Sequence, residues 1–136
     1  MRKIKFHMIT ISFLLVIFLI GCSKTDDNKG FTNVSAEKAH EMIKTKDLVL
    51  LDVRTLSEYK QAHIEGTVII PVQTLQAGYD KIIDSKDKPV LIYCRSGNRS
   101  VTASNILLEK GFKDVYNMEG GIKAWIKAGF PIRVLK

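Results

Sequence analysis

Residues 90–100 read Val90-Leu91-Ile92-Tyr93-Cys94-Arg95-Ser96-Gly97-Asn98-Arg99-Ser100. The apolar run 90–93 predicts a buried strand, and the pattern over 98–110 predicts a helix that ends at Gly111. A strand, a short loop and a helix in this order aim the loop N–H groups and the positive end of the helix at the Cys94 sulfur. The sequence therefore predicts a nucleophilic thiolate held in a cradle for anions.

Strand-like and helix-like segments alternate along the rest of the chain, which indicates an α/β fold with a parallel sheet. In such sheets ligands bind at the carboxyl ends of the strands, so Asp52 and Cys94 are expected to face one crevice. Ser35 is expected to cap the first helix. The strands are predicted at 48–53, 67–70, 90–93 and 114–118, and the helices after residue 35, at 56–62, 72–83 and 98–110, and around 122–126.

Residues 1–21 have the pattern of an export signal. Basic residues at the start precede an apolar run, and the segment ends in Leu19-Ile20-Gly21-Cys22. As a helix, the apolar part would reach only about 22 Å, against roughly 30 Å for a bilayer core. The ending resembles the lipobox of bacterial lipoproteins, which implies lipidation of Cys22 and an anchor on the outer face of the cell membrane. An ordinary secretory signal or an uncleaved anchor is the alternative.

The chain is thus divided into a signal peptide over 1–21, a lipidated flexible tether over 22–30 and a folded domain over 31–136. Residues 1–21 hold three basic and no acidic residues, so without them the formal charge falls from +7 to +4. This mild surplus, without a basic stripe interleaved with aromatics, argues against a nucleic-acid partner. A lipidated Cys22 leaves Cys94 as the one free thiol, so no intramolecular disulfide is expected.

Polar residues beside the two central strands have alternative explanations. Asp52 either supports the site or caps the helix that follows it. Arg54 and Glu58 are four residues apart and are expected to form an ion pair. Ser96 and Ser100 either turn the loop and cap the helix or add hydroxyl donors to the cradle.

The two arginines of the loop are expected to differ. Arg95 follows the nucleophile and is placed at the mouth of the pocket, whereas Arg99 closes the loop and braces it against Asp52. An inert buried thiol is the alternative for Cys94. The two arginines beside Cys94 argue against that alternative, because two positive charges would stabilise an anionic sulfur and would not stabilise a neutral, buried thiol.

Four sets of residues, taken together and in this order, carry a family resemblance. They are Leu51-Asp52-Val53-Arg54 with Glu58-Tyr59, His63-Ile64-Glu65-Gly66 with Pro71, residues 93–100, and Gly120-Gly121-Ile122 with Trp125. With this set, residues 31–134 resemble a single-domain rhodanese, a thiosulfate sulfurtransferase. One departure is Glu65-Gly66-Thr67, where the family commonly has Pro-Gly-Ala in a structural corner. The resemblance implies an α/β domain with a five-stranded parallel sheet flanked by helices on both faces.

The resemblance also implies the chemistry. The Cys94 thiolate would take the sulfane sulfur of thiosulfate or a persulfide donor and pass it to cyanide or a thiol. Asp52, Arg54 and Ser100 would support the site. No cofactor, metal ion or nucleic acid is implied, and a monomer is expected. The substrate-binding residues would be those of the loop: Arg95, Ser96, Gly97, Asn98 and Arg99.

Two rival functions are distinguished by the loop and by assay. Cysteine-dependent phosphatases use Cys-x5-Arg, whereas four residues separate Cys94 from Arg99, and this tighter ring suits a single sulfur atom. A non-enzymatic persulfide carrier or protein-docking module at the cell envelope is the second alternative. Thiocyanate formation from cyanide would favour an enzyme, and sulfur transfer to a single partner protein would favour a carrier.

Overall fold

The computed structural model describes residues 30–135, so the predicted signal peptide, Cys22 and the tether up to residue 29 lie outside the described residues. Five strands form one parallel sheet in the order β1-β5-β4-β2-β3. The predicted five-stranded parallel sheet is therefore confirmed. The strands are β1 (Thr32–Val34), β2 (Val49–Asp52), β3 (Val68–Ile69), β4 (Val90–Tyr93) and β5 (Val115–Met118).

Five α-helices connect and flank these strands. The Ser35 hydroxyl accepts the Lys38 N–H at 3.2 Å, so the predicted cap of the first helix is confirmed. The third helix is shorter than predicted, because it ends at Gly78 and a 3₁₀ helix follows over Tyr79–Ser85. Within residues 30–135, no helix combines the length and apolar character needed to cross a membrane. The helices are α1 (Ala36–Thr45), α2 (Leu56–Gln61), α3 (Val72–Gly78), α4 (Asn98–Glu109) and α5 (Gly121–Lys127).

Helices cover both faces of the sheet, as predicted. The strand residues alternate between two apolar cores, which is why β4 and the first three residues of β2 are apolar. One core holds Leu51, Val90 and Ile92 against side chains of α3 and α4, namely Leu75, Ala103 and Leu107. The other holds Leu50, Leu91 and Tyr93 against side chains of α1 and α5, namely Ala39, Met42, Ile122 and Trp125.

The sheet order places the cysteine loop near the middle of the domain. β4 lies between β2 and β5, and Asp52 at the end of β2 is in register with Tyr93 at the end of β4. Cys94 follows Tyr93 directly, so its loop leaves from the carboxyl edge of a central strand. This is the edge at which parallel α/β sheets bind their ligands.

Candidate functional site

The Cys94 sulfur lies inside a turn that joins β4 to α4, and the residue is only 1 % exposed. Its Sγ accepts the backbone N–H of Gly97 at 3.0 Å. The Ser100 hydroxyl, fully buried in the first turn of α4, lies 3.5 Å from the sulfur and 2.9 Å from the Gly97 carbonyl oxygen. The sulfur therefore faces donors from the loop and from the beginning of the helix.

These donors set the ionisation of the thiol. Burial by itself raises the pKa of Cys94, because it disfavours the charged form. The Ser100 hydroxyl and the backbone N–H groups of Ser100, Gly97 and Ser96 outweigh burial and bring the pKa below that of an ordinary cysteine. The cradle therefore favours the thiolate, chiefly through hydrogen bonds.

The beginning of α5 docks on the outside of the same loop. The Ile122 N–H donates to the Cys94 carbonyl at 2.9 Å, and the Lys123 N–H donates to the Arg95 carbonyl at 3.3 Å. In a trans peptide the carbonyl and the next N–H point in opposite directions. Holding the Arg95 carbonyl toward α5 therefore turns the Ser96 N–H away from α5, which is toward the Cys94 sulfur.

Gly121 makes this close approach sterically feasible. It has a φ of +56°, and a Cβ there would lie 2.4 Å from the Cys94 carbonyl oxygen and 2.6 Å from the Arg95 carbonyl carbon and oxygen. Any larger residue would displace the loop, because no real Cβ sits so near another backbone. Gly121 is thus part of the support of the cradle.

The arginines differ in their surroundings. Arg95 is exposed, as are the neighbouring Ser96 and Asn98. Arg99 instead forms a two-pronged ion pair with Glu58 of α2: its two terminal nitrogens lie 2.8 Å from the two carboxylate oxygens. The prediction that Arg99 pairs with Asp52 is therefore wrong, because its partner is Glu58.

Asp52 pairs with Arg54, which corrects two further predictions. The Asp52 carboxylate accepts the Arg54 backbone N–H at 2.9 Å and its guanidinium at 2.6–3.0 Å, and both residues are buried. The predicted Arg54–Glu58 ion pair is therefore not the contact that forms. Asp52 does not cap α2 either, since Thr55 caps it with a reciprocal hydrogen bond to Glu58. Charge pairing of neighbours in a buried turn prevails over helical spacing here.

The buried pair supports the site indirectly. The Arg54 guanidinium also donates to the Ala62 carbonyl at 2.6 Å, just after α2. This contact ties the end of α2 to the end of β2. Asp52 and Arg54 therefore help to place the helix that carries Glu58, and neither has a hydrogen bond to the Cys94 sulfur within residues 30–135.

Comparison with known families agrees with this architecture. Residues 35–128 match the family model of the rhodanese-like domain. The chain belongs to this family. Among solved structures, a rhodanese-related protein from Thermoplasma volcanium is 31 % identical, with a TM-score of 0.68 over 76 % of this chain and 98 % of that one. The resemblance proposed from the sequence is therefore confirmed at the level of family and fold.

Two further comparisons concern one solved structure and one sequence relative. The thiosulfate sulfurtransferase of Pseudomonas aeruginosa shares the fold, with a TM-score of 0.70 and 22 % identity over 78 % of this chain and 21 % of its own. The tRNA uridine(34) hydroxylase of Chlamydia trachomatis is 34 % identical over 126 residues, which are 88 % of this chain. The chain spans only 38 % of the length of that relative.

Sequence patterns missed two features of this rhodanese-like domain. The strand β1 has three residues, too few for a periodic signal, and it pairs with β5 at the other end of the chain. The Glu58–Arg99 pair joins residues 41 apart and depends on how the fold brings the beginning of α2 near the beginning of α4. The Thr55-x-x-Glu58 spacing was a visible sign of a capping box, but it does not reveal the arginine.

Proposed function

We propose that the protein is a sulfurtransferase that moves sulfane sulfur through a persulfide on Cys94. The Cys94 thiolate attacks the outer sulfur of thiosulfate or of a persulfide donor. A new S–S bond forms to Cys94, the donor's own S–S bond breaks, and sulfite or a thiolate leaves with the electron pair. No separate base is needed, because the resting sulfur is already biased to the thiolate.

The second half of the reaction releases the sulfur. A thiol or cyanide attacks the outer sulfur of the Cys94 persulfide, and the Cys94 thiolate leaves with the electron pair. The amides that lower the thiol pKa also stabilise this leaving thiolate. The cradle thus serves both steps, which is the pattern of a covalent catalyst.

The observation that carries the proposal is the set of donors on the Cys94 sulfur, headed by the Gly97 N–H at 3.0 Å. The test is mass spectrometry of the full-length protein after incubation with a sulfur donor. We expect the peptide with Cys94 to gain one sulfur atom and to lose it when a thiol or cyanide is added. Absence of the gain with thiosulfate and with a persulfide donor would contradict the proposal, and release only to one partner protein would favour the carrier alternative.

A second candidate comes from the 34 % identity to tRNA uridine(34) hydroxylase. In that case the domain would contribute to hydroxylation of a tRNA uridine, with an added oxidant such as dioxygen as the source of the oxygen atom. The two candidate functions can be distinguished with one preparation of the protein, because hydroxylation adds oxygen to tRNA whereas sulfur transfer needs no nucleic acid. Modification of tRNA by the purified protein at a rate above that of sulfur transfer would favour the second candidate.

Arg95→Ala is expected to weaken capture of an anionic donor. Arg95 is exposed beside the nucleophile, so its charge can hold the donor without building the cradle. A charge-assisted contact contributes about 1.5–3 kcal/mol, so KM should rise about tenfold or more, with a smaller change in kcat. Steady-state kinetics with thiosulfate provide the measurement, and an unchanged KM would remove Arg95 from donor binding.

We also propose that Cys22 anchors the domain to the outer face of a bacterial cell membrane. The support is the sequence Leu19-Ile20-Gly21-Cys22 behind a basic and apolar leader. Cys22→Ser should leave an unprocessed precursor or release the domain from the membrane fraction. Cell fractionation and metabolic labelling with a fatty acid measure this, and normal processing with full membrane retention would contradict it.

A further inference from the structure

The pairing of Arg99 changes how much positive charge the loop offers to a donor. The sequence predicted two guanidiniums available for an anion. In the structure both terminal nitrogens of Arg99 are hydrogen-bonded to Glu58. Arg95 is exposed and makes no ion pair within residues 30–135. Of the two arginines of the loop, Arg95 is therefore the one that an ion pair does not occupy.

We propose that Glu58 is a specificity-determining residue, which holds Arg99 away from the donor and thereby selects donors with one negative charge over dianions such as thiosulfate. The donor class is thiosulfonates and persulfides whose sulfane sulfur is attached to a neutral carrier. This inference rests on the proposed sulfur transfer.

Glu58 is well placed to keep Arg99 occupied. Its carboxylate also accepts the backbone N–H of Thr55 at 3.1 Å and the Thr55 hydroxyl at 3.0 Å, so the beginning of α2 fixes its position. Two parallel N–H···O bonds of 2.8 Å add the geometric specificity of a fork-to-fork contact. The Arg99 and Glu58 side chains are 31 % and 27 % exposed, so solvent and small anions can reach the pair.

The pair stays charged under all ordinary conditions. The hydrogen bond from Arg99, with those from Thr55, lowers the pKa of Glu58 from 4.5 to about 2 against the opposing effect of burial. In the folded protein the Glu58 carboxylate therefore stays charged, and protonation breaks the pair only as the pH falls through about 2. Near neutral pH the charge of Arg99 is therefore already matched by a carboxylate, and Arg95 is the loop arginine left for a donor. Its single charge can match a monoanion but not a dianion.

The test compares two donors that differ in charge. In methanethiosulfonate a methyl group replaces one oxygen of thiosulfate and removes one negative charge. Attack by Cys94 on either donor forms the same persulfide, and methanesulfinate or sulfite leaves with the electron pair. The full-length protein in detergent is assayed with both, and each kcat/KM is divided by the rate constant of that donor with a free small-molecule thiolate.

For the wild-type protein we expect this normalised kcat/KM to be at least about threefold higher for methanethiosulfonate. Glu58→Gln should raise kcat/KM for thiosulfate about five- to tenfold, mainly through KM, and change the value for methanethiosulfonate less than about twofold. The glutamine oxygen can still accept the Thr55 N–H, so α2 keeps its cap. A wild-type ratio below threefold, or equal changes for both donors in Glu58→Gln, would overturn the proposal.

Two variants show whether Glu58 acts through Arg99. Glu41→Gln removes the same charge from an exposed ion pair with Lys38 on α1, and it should change neither donor's kcat/KM. In an Arg99→Gln background, Glu58→Gln should raise the thiosulfate value by no more than about twofold, since no masked guanidinium remains. An undiminished increase there would overturn the masking of Arg99. If neither donor adds sulfur to Cys94 in the wild-type protein, the proposed function itself fails.

Discussion

Replacement of Cys94 by serine is expected to abolish sulfur transfer while the domain stays folded. A serine hydroxyl is far less nucleophilic at neutral pH than a thiolate, so the rate should fall by at least about a thousandfold. The cradle accommodates the change, because the Gly97 N–H and the Ser100 hydroxyl can donate to oxygen as they do to sulfur. Thiocyanate formation from a sulfane donor and cyanide measures the rate, and thermal unfolding measures the fold. Activity near that of the wild type would remove Cys94 from the mechanism.

The pH dependence of alkylation at Cys94 is an independent test of the same site. Because hydrogen bonds lower its pKa, iodoacetamide should alkylate Cys94 fully at a pH where an ordinary cysteine is still mostly protonated. The rate should decline as the pH falls through the lowered pKa. Ser100→Ala removes the hydroxyl donor and should shift this decline to higher pH. Peptide mass spectrometry separates Cys94 from Cys22, and an alkylation pKa at or above that of a free thiol would contradict the cradle.

The parts of the fold that sequence could predict are those set by local pattern. β4 is apolar throughout because both of its faces are buried, and α4 begins in the residues that close the cysteine loop. The end of α4 was visible as well, since Gly111 follows with a φ of +89° that favours glycine. These signals depend on a few consecutive residues, so one sequence is enough to detect them.

The parts that sequence could not predict depend on which surfaces meet. Helical spacing paired Arg54 with Glu58, but Asp52 is nearer in the folded turn and takes that guanidinium. This leaves Glu58 available to Arg99, a residue that the fold brings to the beginning of α2 from 41 positions further along the chain. The long-range contact between Glu58 and Arg99 therefore gives Arg99 a different partner from the predicted one. It also changes the charge available to a donor.

Gly121→Ala is expected to damage the cradle from outside the loop. The new methyl group would collide with the Cys94 and Arg95 carbonyl oxygens, at 2.4 and 2.6 Å, and push the loop away from α5. The Ile122 and Lys123 N–H groups would then lose their acceptors, and the Ser96 N–H would no longer be held toward the sulfur. We expect the alkylation pKa of Cys94 to rise toward that of an ordinary cysteine and the rate of sulfur transfer to fall about tenfold or more.

Gly129→Ala is the matched control for this prediction. Gly129 also has a positive φ, +78°, but a Cβ there would meet no atom within 4 Å. Gly129→Ala therefore destabilises the fold by about 1–2 kcal/mol, the cost of an alanine in the left-handed region, without a collision between the new methyl group and another part of the chain. Both variants should lower the melting temperature, whereas only Gly121→Ala should move the alkylation pKa. Equal alkylation profiles in the two variants would mean that the loop holds its amides toward the sulfur without help from α5.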